Sequence, residues 1–526
     1  MQKYAIISVS DKSNIESFTK KLIDLGYKIL STGGTLQVLK QYGIEASDIS
    51  SYTYTEEMFD GRVKTLHPKI HGGILFRRNN DKDIAQAIKA NIVSIDVVCV
   101  NLYQFHKTIQ RSNDFDEIIE DIDIGGHTLI RAAAKNFQDV TVVVDPNSYE
   151  EVIQSLSKKD HLELLEFRKE LMIKAFNHIA QYDCIIANYM NEKFKDGFGE
   201  KKFIVGSCVM QTNYGENPHQ KGALYETENF YSKYLHIHKG NISFNNLIDI
   251  NAALKIIRAF GDSHCACIIK HGNPCGFAIR NDIISAYQGA MICDSVSAYG
   301  GVLAINTKLD IRLAQEILKN YAEVVVCRDI DLEALEMFKT KKRIKIVTCS
   351  LDRTNSNCTS NHLVGFCAPS DAWNFKHIEG GFVYQQSDKI ESNEVYDAKL
   401  VSNKVAEDSQ KLDLDIAYKL AAFTKSNCVV FVKDKTLVAI GMGMTSRVDA
   451  MFAAIKKAKE MSVNLNDSVL ASEAFFPFKD SIELASTVGV SAIIEPGGSI
   501  RDNEVIDEAN RRNIALYFSG KRHFLH

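Results

Sequence analysis

"YAIISVSDKSNIESFTKKLIDLGYKILSTGGT", residues 4–35, sets two hydrophobic periodicities side by side. "YAIISV" is a continuous apolar run of strand length, which predicts a buried strand, whereas Ile15, Phe18, Leu22 and Leu25 recur at helical spacing up to Gly26, a suitable C-cap. "KIL" then supplies a second strand that runs into the turn "STGGT". The same order returns downstream: "IDVVCVNLY" at 95–103 predicts a strand, "GGHTLIRAAAKN" at 125–136 a helix and "DVTVVVD" at 139–145 another strand. Alternating elements of this kind predict an α/β fold with mostly parallel strands, in which ligands lie beyond the strands' carboxyl ends.

At 526 residues the chain exceeds a single core. The polar, glycine-bearing stretch "NEKFKDGFGEKKF" at 191–203 lacks apolar periodicity and places the main boundary near residue 200, giving units 1–200 and 201–526. Within the second unit, "HCACIIKHGNPCG" and "LAAFTKSNCVVFVKD" each join an apolar strand to a nearby Lys and Asn. This echo fits a duplicated α/β unit with an internal boundary near 365–385, though chance would also produce it. The polar stretch "CSLDRTNSNCTSN", 349–361, reads as a surface excursion.

A composition of 45% hydrophobic and 24% charged residues with a net charge of -4 is that of an ordinary globular protein, and it argues against a nucleic-acid partner. Any anionic ligand must then be held by local basic clusters. Twelve cysteines, mostly inside apolar runs, form no disulfide ladder, and no window reaches roughly 18 apolar residues. A cytoplasmic protein with no membrane partner is expected.

Two stretches of the first unit suit an anion. "STGGT" offers the hydroxyls of Ser31, Thr32 and Thr35, and Gly33 and Gly34 let backbone N–H groups approach a phosphate at a helix start. It lacks the Gly-Lys-Ser/Thr ending of a Walker A loop, and a plain glycine turn is the alternative. "GRVKTLHPKIHGG", 61–73, gathers Arg62, Lys64, His67, Lys69 and His71 around Pro68 in a run expected to be too irregular for one amphipathic helix. With Asp123, Gly125, Gly126 and Lys135 it suggests an anionic small-molecule site at the sheet edge, against the alternative of a solvated basic loop.

In the second unit Lys270 and His271 are adjacent, and neighbours on a strand face opposite ways, so they serve one site only where regular structure ends; Asn273-Pro274 is the expected ending. A histidine can accept a proton near neutral pH, and an ammonium can stabilise an oxyanion, a combination that suits acyl or formyl transfer to an amine. "NPCGF" is similar to half of a zinc-deaminase motif, but Ala278 stands where the second cysteine belongs, so no metal is expected. Cys275 reads as a nucleophile or, more simply, as a packed residue.

Taken in series, "SVSDK", "GRVKTLHP", "DIGG…RAAAKN", "YGENPHQ", "KHGNPCG", "SRVDA", "AFFPF" and the terminal "RHFLH" resemble the bifunctional purine biosynthesis family that joins IMP cyclohydrolase to 5-aminoimidazole-4-carboxamide ribonucleotide (AICAR) formyltransferase. The resemblance implies a methylglyoxal-synthase-like N-terminal domain and a C-terminal part of two cytidine-deaminase-like units without zinc. It implies AICAR, formyl-AICAR and 10-formyltetrahydrofolate as substrates, and a homodimer with shared formyltransferase sites. For the cyclohydrolase it places Ser8, Ser10, Lys12, Ser31, Thr32, Gly33, Gly34, Thr35, Arg62, Thr65, Gly125 and Gly126 around the nucleotide, with Lys64, Tyr103, Asp123 and Lys135 in the chemistry. For the formyltransferase it makes His271 the base, Lys270 the oxyanion or leaving-group partner and Asn427 the holder of the formyl oxygen. Tyr214, Arg447, Phe475 and Arg522 then contact AICAR, and Asn246, Tyr299, Gly300 and Glu323 surround the folate. Asn213, Met444, Tyr299, Glu473 and Glu495 depart from the family's usual Arg, Gln, Phe, Asp and Gln. Two rivals are a non-catalytic nucleotide-binding regulator and a phospho-sugar lyase fused to a deaminase.

Overall fold

The computed structural model describes residues 2–158, 160–195, 198–227, 229–261, 263–349 and 373–526. They divide into two compact units, Met1–Val205 and Gly206–His526.

The first unit is built on strands β1 (Lys3–Val9), β2 (Tyr27–Ser31), β3 (Ser47–Asp48), β4 (Ile95–Asn101) and β5 (Thr141–Val143). They form one sheet in the order β3-β2-β1-β4-β5, with every pairing parallel. Ala5, Ile6, Ile7, Val97 and Val98 are fully buried because helices cover both sheet faces, so the strands read as unbroken apolar runs. Helix Ile15–Asp24 buries Ile15, Phe18 and Leu22, and Gly26 follows it at φ +86°, as its sequence predicts. The stretch 61–73 differs from expectation. Pro68–Leu75 is helical, with Pro68 in its first turn and the His67 ring accepting the Lys69 N–H at 3.1 Å; the basic side chains hid a helix whose buried face is only Ile70, Gly73 and Ile74.

The second unit opens with a hairpin of β6 (Ser207–Thr212) and β7 (Gly222–Glu226). Its first half continues with β8 (Leu235–Lys239), β9 (His264–Lys270), β10 (Asn273–Arg280), β11 (Val302–Ile305), β12 (Lys308–Leu309), β13 (Val324–Cys327), β14 (Asp329–Ile330) and β15 (Lys345–Cys349). After a hairpin of β16 (Trp373–Ile378) and β17 (Gly381–Gln386), the second half holds β18 (Lys399–Leu400), β19 (Val429–Lys433), β20 (Thr436–Gly441), β21 (Val469–Ser472), β22 (Ala492–Glu495) and β23 (Ala515–Phe518). Both the polar excursion after Cys349 and the start of the 365–385 boundary lie outside the described residues.

Twelve of these strands form one sheet, β18-β23-β22-β21-β19-β20-β10-β9-β11-β13-β15-β8. Read outward from the central β20/β10 pair, the two halves are the same: a hairpin, an antiparallel neighbour, two parallel strands and an antiparallel edge. Matching the registers equates Val302 with Val469, Cys265 with Cys428 and Asn306 with Glu473. Side chains repeat as well. The Cys265 N–H donates to Asn306 Oδ1 at 3.1 Å, and the Cys428 N–H to Glu473 Oε2 at 3.2 Å. Because β10 and β20 run antiparallel, each long edge of the sheet combines the amino ends of one half's parallel strands with the carboxyl ends of the other's.

Candidate active sites

In the first unit the predicted phosphate turn lies at the carboxyl ends of β1 and β2. The Ser31 hydroxyl donates to Ile7 O at 2.6 Å, and Thr35 Oγ1 bonds both the N–H and the C=O of Val9 at 3.0 Å, so these two hydroxyls are spent on fastening the turn. What remains for a ligand is Thr32, 3.1 Å from the Ser8 hydroxyl, and the start of helix Gly33–Gln41, which has no side-chain cap. An uncapped helix start presents unpaired N–H groups and the positive end of the dipole to an anion. Asn101, which the sequence reading missed, ends β4 and accepts the Ser10 and Asp11 N–H groups at 2.7 and 2.8 Å, so it shapes the neighbouring loop that carries Lys12.

Lys64 reaches the same edge. A Cβ on Gly33 would lie 3.7 Å from its Nζ, and one on Gly61 only 2.7 Å away, so both glycines make room for this ammonium. Lys64 pairs with Glu57 at 2.9 Å and Arg62 with Glu120. Asp123 Oδ1 accepts the Gly126 N–H at 2.7 Å and holds the entry to helix Gly125–Lys135, while Thr65 fills the space a Cβ on Gly125 would need. Burial raises the Asp123 pKa, opposed by hydrogen bonds from the Gly126 and Tyr103 backbone. Although half of the Tyr103 side chain is open to solvent, partial burial and the charge of Asp123 raise its pKa too, with Lys64 opposing. Tyr103 thus feels the charges of both Asp123 and Lys64, which makes the three one electrostatic group.

Lys135 ends the eleven-residue helix that Gly125 begins and lines a cavity with Leu66, His71, Leu75, Thr128 and Arg131.

In the second unit the regular strand ends at Lys270, and the ending is a two-residue hairpin turn, His271-Gly272, rather than Asn273-Pro274. Both turn residues have positive φ, 52° and 75°, the signature of a type I′ hairpin. Pro274 lies inside β10, next to a register shift that accommodates its missing N–H. The turn is held from below by Asp249 of helix Phe244–Arg258, whose Oδ1 accepts the Gly272 N–H at 2.6 Å. Its mate Asp413 caps the equivalent turn, accepting the Asp434 and Lys435 N–H groups at 2.8 and 2.7 Å. Neither aspartate was singled out from sequence, although each stands at the sixth position of its helix and "LIDINAALKII" and "LDLDIAYKLAA" contain the pair in plain view.

Lys270 Nζ donates to the Tyr299 and Gly300 carbonyls at 3.1 and 3.2 Å. Gly300, at φ +72°, leaves 3.5 Å between a would-be Cβ and that ammonium. Beyond it, Asn246 donates to Glu323 at 3.0 Å and Lys345 bridges both, so all four predicted folate residues contact one another or Lys270. Burial opposes ionisation of Glu323, but the Lys345 and Asn246 hydrogen bonds win and lower its pKa.

The second half meets this cluster where Asn273 Oδ1 accepts the Lys425 N–H at 3.0 Å, two residues before Asn427. Asn427 Nδ2 donates to Met444 O at 2.9 Å. Arg447 is oriented by Glu473 and Ser472, at 2.9 and 3.1 Å, and Arg522 lies over the Phe524 ring. Glu495, fully buried, accepts the Phe476 N–H at 2.7 Å, and its pKa is pushed up to about 8 by burial. Phe475, next to Phe476 in sequence, is partly buried. Tyr214 sits on the β6–β7 loop, whose Glu216 carbonyl receives Asn245, the neighbour of Asn246. Cys275 is packed, its thiol facing Ile268 O, and burial raises its pKa to about 12, which disfavours a thiolate nucleophile.

A family model described as AICARFT/IMPCHase bienzyme matches residues 133–457, and an MGS-like domain matches residues 14–128. Proteins named "Bifunctional purine biosynthesis protein PurH" from Persephonella marina and Caldicellulosiruptor saccharolyticus are 42% and 41% identical, each match covering 100% of both chains. The one from Aquifex aeolicus is 41% identical over 99% of this chain and 100% of its own. The chain therefore belongs to the AICARFT/IMPCHase bienzyme family, the bifunctional enzymes that formylate AICAR from 10-formyltetrahydrofolate and then close formyl-AICAR to IMP.

Proposed function

We propose that the two reactions are divided between the units: residues 1–205 carry the cyclohydrolase and residues 206–526 the formyltransferase, with each half of the latter a cytidine-deaminase-like module. The observation that carries this division is the joining of Lys270-His271 to the Lys425–Asn427 segment at one sheet edge through Asn273, wholly within the second unit.

The AICAR amine is a weak nucleophile, because its lone pair is delocalised into the ring and carboxamide. A base that removes its proton during attack therefore lowers the barrier. His271, exposed at the tip of the hairpin, is that base. Lys270 stabilises the tetrahedral oxyanion or protonates the departing folate nitrogen, and Asn427 orients the formyl oxygen. Arg447 and Arg522 present planar forks to the nucleotide phosphate, with Tyr214 and Phe475 against AICAR. Asn246, Tyr299, Gly300 and Glu323 face the folate.

Cyclisation is intramolecular, so positioning supplies much of the rate. Ser8, Ser10, Lys12, Thr32 and the Gly33-Gly34 turn hold the phosphate and ribose with Arg62, Thr65, Gly125 and Gly126, while Ser31 and Thr35 brace that turn. Lys64, Tyr103 and Asp123 move the proton and stabilise the oxyanion as water leaves. Lys135 takes part in the same proton movement, a role the family supports. We take the working form to be a cytoplasmic homodimer with shared formyltransferase sites, a reading supported by the family. Among the described residues no helix is long and apolar enough to cross a membrane.

The test is an ultraviolet assay of IMP formation with His271→Ala and Lys64→Ala. His271→Ala is expected to lose formyl transfer yet cyclise preformed formyl-AICAR, and Lys64→Ala to accumulate formyl-AICAR. Loss of both activities in either variant would overturn the division.

A further inference from the structure

The duplication places a mate of the proposed AICAR edge on the opposite side of the twelve-stranded sheet. At the AICAR edge the carboxyl ends of β21 and β22 carry Glu473 and Glu495, and Glu473 pairs with Arg447. Register equates these two positions with Asn306 and Cys327 at the ends of β11 and β13. Both carboxylates are therefore missing from the mate edge, yet a cavity persists there.

That cavity is lined by Asn306, Cys327 and Cys349 from the strand ends, by Arg258 from the last turn of helix Phe244–Arg258, and by Arg328 at its exposed rim. Leu254, Ile257, Ile305 and Val326 supply an apolar wall. Two nitrogens of Arg258, Nε and Nη2, are buried without any hydrogen-bond partner, while the guanidinium lies over the Phe230 ring at 4.8 Å. Among the described residues neither Arg258 nor Arg328 is in an ion pair. The guanidinium is half-buried and also bonds the Cys349 thiol, but buried nitrogens left without an acceptor are costly, and a planar fork of this kind matches an oxyanion. The cavity volume is about 50 Å³, room for about four waters or one tetrahedral anion, since a water takes roughly 10–15 Å³ on this measure.

We propose that this cavity is a second anion site, selective for a phosphate-sized oxyanion held by Arg258 and Arg328, and distinct from the formyltransferase site on the other edge. The ligand is inorganic phosphate or the phosphate group of a small ester whose body extends past the rim.

The experiment is equilibrium dialysis of the full chain against radiolabelled orthophosphate, with no nucleotide present. Wild type is expected to bind one phosphate per chain more than Arg258→Met, and Arg328→Ala is expected to weaken that same phosphate at least tenfold. Arg447→Ala removes a different phosphate, so the Arg258→Met/Arg447→Ala pair loses both. Formyl transfer at wild-type rate in Arg258→Met shows that this variant is folded; if it is not, the rim variant Arg328→Ala decides the question. Unchanged stoichiometry and affinity in the folded Arg258 variant, or in Arg328→Ala, would overturn the proposal. So would crystals soaked in tungstate whose anomalous peaks avoid the Arg258 guanidinium.

Discussion

Asp249 and Asp413 offer an internal control that few enzymes contain, because one fold has made the same hydrogen bond twice and only one copy adjoins the proposed base. Asp249 accepts the Gly272 N–H at 2.6 Å and thereby fixes a turn in which His271 is held at φ 52°, a conformation that non-glycine residues leave readily when released. A hydrogen bond to a charged group is worth about 1.5–3 kcal/mol. If all of it is spent on holding the imidazole in place, Asp249→Ala lowers kcat for formyl transfer by about 10- to 100-fold, since each 1.4 kcal/mol is roughly a factor of ten. KM for AICAR should move little, and cyclisation of preformed formyl-AICAR not at all. Asp413→Ala removes two such bonds, at 2.8 and 2.7 Å, so it should destabilise the fold at least as much in urea unfolding. Its formyl-transfer rate should nevertheless stay within about twofold of wild type. Equal activity losses in the two variants would refute the positioning argument and reduce Asp249 to a fold-stabilising residue, and an active Asp249→Ala enzyme would remove His271 from the mechanism.

Three further outcomes are expected. Gly61→Ala puts a Cβ 2.5 Å from Lys64 Cε at a residue with φ +88°, so the ammonium must shift; cyclisation kcat should fall about tenfold, with formyl transfer unchanged in the coupled assay. Glu495 is protonated more readily in the folded chain, at about 8 against 4.5 when unfolded, so its contribution is complete below pH 4.5 and is lost as pH rises through about 8. Glu495→Gln should therefore flatten the decline in stability between pH 5 and 8, an effect on the order of 4 kcal/mol measured by urea titration at the two pH values. Burial by itself would lower the His523 pKa, but hydrogen bonds to Asp388 and Glu394 at 2.7 and 2.9 Å raise it to about 9. Its stabilisation is complete below pH 6.5 and lost through pH 9, so His523→Gln should cost about 3 kcal/mol at pH 6 and little at pH 10, and it should loosen the segment bearing Arg522.

Local chemistry explains what could be read from the sequence and what could not. The strand–helix–strand opening was legible because its two periodicities differ and Gly26 marks the break between them, all within a few residues. The parallel sheet of the first unit follows from such units in succession. Pro68–Leu75 was missed because a helix that buries only Ile70, Gly73 and Ile74 leaves too narrow an apolar stripe among basic residues. The His271 turn was missed because histidine is an unusual type I′ residue, and because Pro274 signals a break that the register shift in β10 cancels. Long-range pairing was beyond reach in principle: the halves of the second unit join through Ala278 opposite Thr436, 158 residues apart, and no pattern in either strand encodes that choice.

The duplication was visible only as an echo, because the two copies have diverged where chemistry acts and persisted where the backbone must be held. Asp249 and Asp413 remain aspartates since each must accept N–H groups at a tight turn, a demand independent of any ligand. Asn306 and Glu473 both accept the N–H of the equivalent cysteine, and that shared task needs only an oxygen. Glu473 has a second duty, to aim Arg447, which requires a carboxylate. Where the second duty is absent the charge is absent as well. On the mate edge the loss of both carboxylates leaves the basic side chains of the cavity uncompensated, so the change that disqualifies this edge from copying the AICAR site also makes it electrostatically suited to an anion of its own.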